Sequence, residues 1–162
     1  MDSGPHVWVA GPHEAETVAR LMTEFRDHLG YERPSENAIL AAVEQLSEDV
    51  ATEFLLGSPD PDAAPAGVAQ LRFRRSVWMA TDCLVEDVFV AAPARGIGLG
   101  RALVVQALER ARARGCRRAE LDTSEGNSAA LALYTSLGFT AVSGAGTDRD
   151  LYLRVHLAPA DE

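Results

Sequence analysis

Leu84-Val85-Glu86-Asp87-Val88-Phe89-Val90 is followed by Ala91-Ala92-Pro93-Ala94 and then by Arg95-Gly96-Ile97-Gly98-Leu99-Gly100-Arg101. An apolar strand runs through a short turn into a glycine-rich loop and the start of a helix. That order aims several backbone N–H groups at one spot, where the helix dipole is positive, so a phosphate-bearing ligand is expected there. Gly-x-Gly by itself does not say which ligand. A dinucleotide fingerprint needs a third glycine where Arg101 stands, and a P-loop needs a lysine, which this chain lacks altogether.

Further along stand Asn127-Ser128-Ala129-Ala130-Leu131-Ala132-Leu133-Tyr134 and Leu137-Gly138-Phe139. With Arg-x-x-Gly-x-Gly behind an apolar strand and Asn…Tyr…Gly-Phe after it, the sequence resembles the GNAT superfamily of acyl-CoA-dependent N-acetyltransferases. The specific motifs lie in residues 84–139, and the likeness extends to the whole order of elements. It implies an α/β GNAT fold: a mixed, mostly antiparallel sheet of six to seven strands flanked by about four helices. A splayed pair of strands would admit CoA. Residues 1–162 are expected to form a single domain.

The resemblance further implies acetyl-CoA as cosubstrate, an amine as acceptor and no metal. Backbone N–H groups of Arg95, Gly96, Ile97, Gly98, Leu99, Gly100 and Arg101 would cradle the pyrophosphate. The main chain of Val88, Phe89 and Val90 would run beside the pantetheine arm. Tyr134 matches the family's general acid for the CoA sulfur, or else fills a helix stripe. Asn127 matches a contact to the CoA arm, although capping its helix would also explain it.

Two acids inside an apolar strand are costly unless they meet solvent, a partner or a cleft. Strict alternation puts Glu86 and Asp87 on opposite faces of the sheet. The run Glu86-Asp87-Val88-Phe89-Val90 is similar to that of the diamine and polyamine acetyltransferases, which makes Glu86 the base candidate. Asp87 is then a candidate for binding the cationic amine. Either could instead be a salt-bridged or exposed acid. Ala94 departs from the bulky residue that the superfamily commonly carries there.

The composition narrows the rest. A chain of 162 residues can bury a core as one domain. The net charge is −9, with thirteen carboxylates against three arginines in residues 1–62. An acidic balance argues against nucleic acid and suits a cationic small molecule. No apolar run is long enough to span a membrane. The first residues lack a signal-peptide pattern, so a cytoplasmic location is expected. Cys83 and Cys116 show no metal spacing, and the four histidines are scattered. A homodimer is within the family's habits.

The chain in order reads as follows. A strand spans His6 to Ala10. A helix from Glu14 carries Val18, Leu21, Met22, Phe25 and Leu29 on one face and ends at Gly30. Ser35 looks like the N-cap of a second helix with Ile39, Leu40, Val43 and Leu46 inward. Strands follow at Thr52 to Leu56, Gly67 to Met79 and Cys83 to Val90. After the glycine loop, Leu103, Val104, Ala107, Leu108 and Ala111 line a helix ending near Gly115. Arg110, Arg112 and Arg114 there suit the helix C-terminus. A fifth strand covers Arg118 to Asp122, and a short helix begins at Asn127. A sixth strand starts at Phe139, and a last one spans Leu151 to Leu157.

The acceptor is expected to be a small cationic amine, attacked in a ternary complex. The alternatives are an aminoglycoside, a protein N-terminus or lysine, and a non-catalytic acyl-CoA sensor.

Overall fold

The computed structural model describes residues 3–157, which divide after Glu120 into two compact units. The first unit is a sheet between helices. Its elements are β1 (His6–Val9), α1 (Ala15–His28), α2 (Glu36–Glu48), β2 (Thr52–Ser58), β3 (Gly67–Ser76), β4 (Ala80–Val90), α3 (Leu99–Ala113) and β5 (Ala119–Glu120). The second unit contains α4 (Ser128–Ser136).

The sheet has five strands in the order β1-β2-β3-β4-β5, all antiparallel except the β4–β5 pair. Loops without helices join β2 to β3 and β3 to β4, α1 and α2 lie between β1 and β2, and the parallel pair needs the crossover that α3 supplies. The expected six to seven strands reduce to five among the described residues. The stretch from Phe139 onward contributes an isolated bridge, Val142 to Arg149, and Leu151–Leu157 forms no strand. Alternation gives a segment the capacity to pair. Without a ladder of backbone hydrogen bonds to a neighbour it is not a strand.

Sheet parity divides the core. Val68 pairs with Leu56 and Phe89, and all three belong to the cluster that also contains Val18, Leu21, Ile39 and Val43 of α1 and α2. The alternate residues Leu55, Ala69 and Leu71 point to the other face, where α3 buries Leu99, Leu103, Val104, Ala107 and Ala111. α3 approaches closely because Gly57 and Gly67 are cross-strand partners beneath it. A Cβ on Gly57 would lie 2.8 Å from Leu99 Cδ1, and one on Gly67 would lie 2.9 Å from Leu103 Cδ1.

Ser35 caps α2 as expected, its hydroxyl accepting from Ala38 N–H at 3.2 Å. Of the arginines near the end of α3, Arg110 and Arg114 do more than answer the helix dipole. Arg110 donates from Nε and Nη2 to the buried Glu53 carboxylate at 2.9 and 2.6 Å, and Arg114 adds a bond of 3.0 Å. Arg114 also lies 4.2 Å over the Phe73 ring. Burial raises the Glu53 pKa, but the hydrogen bonds from both guanidiniums outweigh it and hold the carboxyl below its ordinary range. Asp82 has the same arrangement, held by Arg74 at 2.9 Å and Arg118 at 2.7 Å. That pair of bonds ties β3, β4 and the approach to β5 together.

Candidate active site

The site is built on β4. β5 pairs with it only at Cys83 and Leu84, and β4 then continues to Val90. Among the described residues no strand pairs with that edge of β4 beyond Leu84. A strand edge left without a partner offers N–H and C=O groups to an extended, amide-bearing ligand. The side chain of Phe89 is buried and stacked on Phe25, with ring centroids 5.1 Å apart. Of Val88, Phe89 and Val90, the main chain is therefore what this edge can present.

A short turn at Ala92–Ala94 carries the chain to the glycine loop. The small Ala94 is buried there, filling the space without forcing the turn open. Arg95 braces the loop against the strand. Its Nε donates to Val90 O at 2.8 Å, and its guanidinium lies 5.7 Å from the Phe89 ring centroid. Its own N–H turns back to Ala92 O at 3.3 Å.

Gly96 and Gly98 have φ of +80° and +88°, the left-handed region that glycine enters without strain. Nothing lies within 4 Å of a Cβ built on either, so backbone conformation alone demands glycine. Gly98 is the N-cap of α3, and the first intrahelical bond runs from Ala102 N–H to Gly98 O. Helix geometry leaves the N–H groups of Leu99 and Gly100 without intrahelical acceptors, at the positive end of the dipole. Leu99 turns its side chain into the core, while Ile97 stays half exposed. Open strand edge, left-handed glycines and helix N-terminus fit a ligand that combines amides with phosphates.

The expected alternation fails at the two acids. Leu71 pairs with Val85 and Gln70 with Asp87, so Glu86 is the extra residue of a β-bulge. Asp87 shares its face with Gln70 and Phe54, the face of α1 and α2. Glu86 is paired at 3.0 Å with Arg72, which projects opposite the buried Phe73 and so to the same side. The bulge thus puts both carboxylates on the α1–α2 side of the sheet. Sequence reading separated them because it counted a perfect period of two.

On that side a cavity of about 290 Å³ lies between α1, α2, their connection and the sheet. Phe54, Gln70 and Asp87 line it from the sheet. Met22, Phe25, Tyr31, Val43 and Leu46 are among the apolar groups contributed by the helical layer.

In the second unit Asn127 caps α4, its Oδ1 accepting from Ala130 N–H at 3.2 Å. Tyr134 is half-buried and packs edge-on to Phe139, with centroids 5.9 Å apart. Burial, and secondarily the Asp122 charge, push its phenol above the ordinary value. It therefore stays protonated at neutral pH and can give a proton.

Among the described residues no group of three or more His, Cys, Asp or Glu side chains could hold a metal, and no helix is long and apolar enough to cross a membrane.

This chain is similar over nearly its whole length to a solved protein from Arthrobacter sp. FB24, provisionally assigned as an acetyltransferase. The two share 27% identity and a TM-score of 0.84 over 94% of this chain and 96% of that one. Mouse (Mus musculus) N-alpha-acetyltransferase 80 is 42% identical over 86 residues, 53% of this chain and 26% of that protein. Glucosamine 6-phosphate N-acetyltransferase of Trypanosoma brucei brucei is 44% identical over 57 residues, 35% of this chain and 37% of that protein. The matched stretches thus span well under half of either curated relative. The model of the Acetyltransferase (GNAT) family matches residues 16–139, from α1 through the glycine loop to Phe139, and with that the chain belongs to the GNAT family.

Proposed function

We propose that this protein transfers an acetyl group from acetyl-CoA to a primary amine, with both units acting as one catalytic domain in the cytoplasm. The observation that carries the reading is the continuous run from the unpaired edge of β4 through Gly96 and Gly98 to the N-terminus of α3. When bound, acetyl-CoA supplies an activated acetyl thioester with a thiol as leaving group. The N–H groups of Gly96 to Arg101 hold its pyrophosphate, and the Val88–Val90 main chain aligns the pantetheine amides. Asn127 contributes to the same arm beside its capping role.

An alkyl ammonium has an ordinary pKa near ~10.4, so it must lose a proton before it attacks. Glu86 accepts that proton, with Arg72 fixing the direction of its carboxylate. Tyr134 donates one to the departing sulfur. Asp87 binds the cationic acceptor. Direct attack in a ternary complex follows from the absence of a nucleophilic Ser or Cys in the 84–101 motif. A homodimer is the assembly that the family likeness favours.

The named relatives act on different amines, an N-alpha position in one case and glucosamine 6-phosphate in another. The likeness of Glu86–Val90 to diamine and polyamine acetyltransferases favours a small cationic amine over an aminoglycoside or a protein. CoA release from acetyl-CoA across an amine panel tests the activity. Turnover with at least one amine is expected, and Tyr134→Phe should lower kcat about 10²-fold while leaving acetyl-CoA affinity unchanged. Acetyl-CoA binding without turnover on any amine would replace the enzyme with an acyl-CoA sensor. Parallel double-reciprocal lines would replace the ternary complex with a covalent intermediate.

A further inference from the structure

We infer that the acceptor is a lipophilic monoamine, with its one ammonium against Asp87 and an aryl or alkyl body in the cavity between α1, α2 and the sheet. This rests on the acetyl-transfer reading and names its substrate class. Asp87 is the one carboxylate among the residues lining the cavity. It stands at the sheet, beside the bulge that also brings Glu86 to this side. The remaining lining is mostly apolar, and folding has left part of it uncovered. Leu29 is 50% exposed and Tyr31 is 63% exposed, and both line the cavity. Apolar surface of that kind gains most from a ligand whose body is itself apolar.

Charge argues in the same direction. Arg26 and Arg33 line the cavity from α1 and from the α1–α2 connection. Arg26 is held by Asp27 and by the Pro34 carbonyl, whereas Arg33 makes no ion pair among the described residues. Asp27 neutralises Arg26, so the lining is left with one carboxylate, Asp87, and one guanidinium, Arg33; a second ammonium finds no carboxylate in the lining and meets Arg33, a cost that a monoamine avoids. The carboxylates that make the N-terminal half acidic add no second anchor to the lining. Glu16, Glu24, Asp27 and Glu36 line a separate groove. A volume of about 290 Å³ also lies just below the roughly 300–1,000 Å³ range of ligand pockets. It suits a single ring on a short chain better than a multi-ring amino sugar.

Calorimetric binding to the full chain in the presence of CoA, which permits no turnover, tests the pocket. Phenethylamine is expected to bind at least about tenfold more tightly than spermidine. Asp87→Asn, close to isosteric, should weaken phenethylamine by about tenfold. Ala42→Phe should block it by filling the cavity from an exposed position on α2. Melting temperatures confirm that both variants fold. Tighter binding of spermidine, no binding of phenethylamine, or affinity untouched by both variants would each overturn the inference. CoA release separates this from the activity itself. Binding of phenethylamine without release would keep the pocket assignment and remove acetyl transfer to it. Release with spermidine alone would keep acetyl transfer and remove the assignment.

Discussion

The two faces of the sheet are packed to different ends. On the α3 face, Leu99, Leu103, Val104 and Ala107 are nearly or fully buried, and the buried carboxylate Glu53 is held by two arginines. On the α1–α2 face, Val68 and Phe89 are packed as tightly near one end, but a cavity remains further along, with Gln70 and Asp87 on its wall. The closed face fixes the angle and height of α3, and with them the glycine loop at its N-terminus. The open face leaves room for a second molecule. Rigid packing and a binding site thus share one sheet because alternate residues of each strand serve opposite sides.

Substitutions can break this contrast in graded steps. The largest effect is expected on the closed face. Leu103→Ala should cost about 2–5 kcal/mol of stability, read by denaturant unfolding, because a packed site cannot collapse around the missing methyls. Next comes the bulge on the open face. Glu86→Gln should lower kcat by about 10²-fold, roughly 2.7 kcal/mol of barrier, and flatten its rise with pH, with stability little changed. A wild-type pH profile in that variant would show that the proton leaves by another route.

Third is the charge on the closed face. Glu53→Gln should cost about 1–2 kcal/mol, less than a fully buried pair would, because both arginines are about one-third exposed and stay hydrated. Glu53 and Asp82 both titrate below their ordinary values in the folded protein. Their contribution to stability is therefore complete above the unfolded carboxylate pKa of about 4 and is lost as pH falls through the folded values. The melting temperature should fall on acidification below about pH 4, and less steeply in Glu53→Gln. The smallest effect belongs to Ala42→Phe, which should change stability by less than about 0.5 kcal/mol because it fills space that the fold leaves open.

Individual residues show how far local pattern reaches. The helices with Val18 and Leu21 or with Ile39 and Val43 inward were legible from their spacing, and Ser35 from its capping chemistry. Gly96 and Gly98 were legible as a turn before a helix, and they take the left-handed backbone that such a turn requires. The Arg110–Glu53–Arg114 clamp was not legible, since its partners lie more than fifty residues apart in sequence. Gly57 and Gly67 carry no local signal of their purpose, since only the approach of α3 gives them one. Leu151–Leu157 alternates as a strand would, yet it has no ladder.

By itself the amino-acid sequence determined the order of elements, the glycine loop on a helix N-terminus and the family, because these rest on short-range geometry and spacing. Tertiary structure decided on which side of the sheet Glu86 and Asp87 lie. One unpaired residue in β4, set by its register against β3, shifts the period by one, and no local pattern carries that register. It also decided that Asp87 would line an apolar cavity while Glu16, Glu24, Asp27 and Glu36 of the N-terminal half line a separate groove. Cavity and charge depend on which distant side chains the fold brings together.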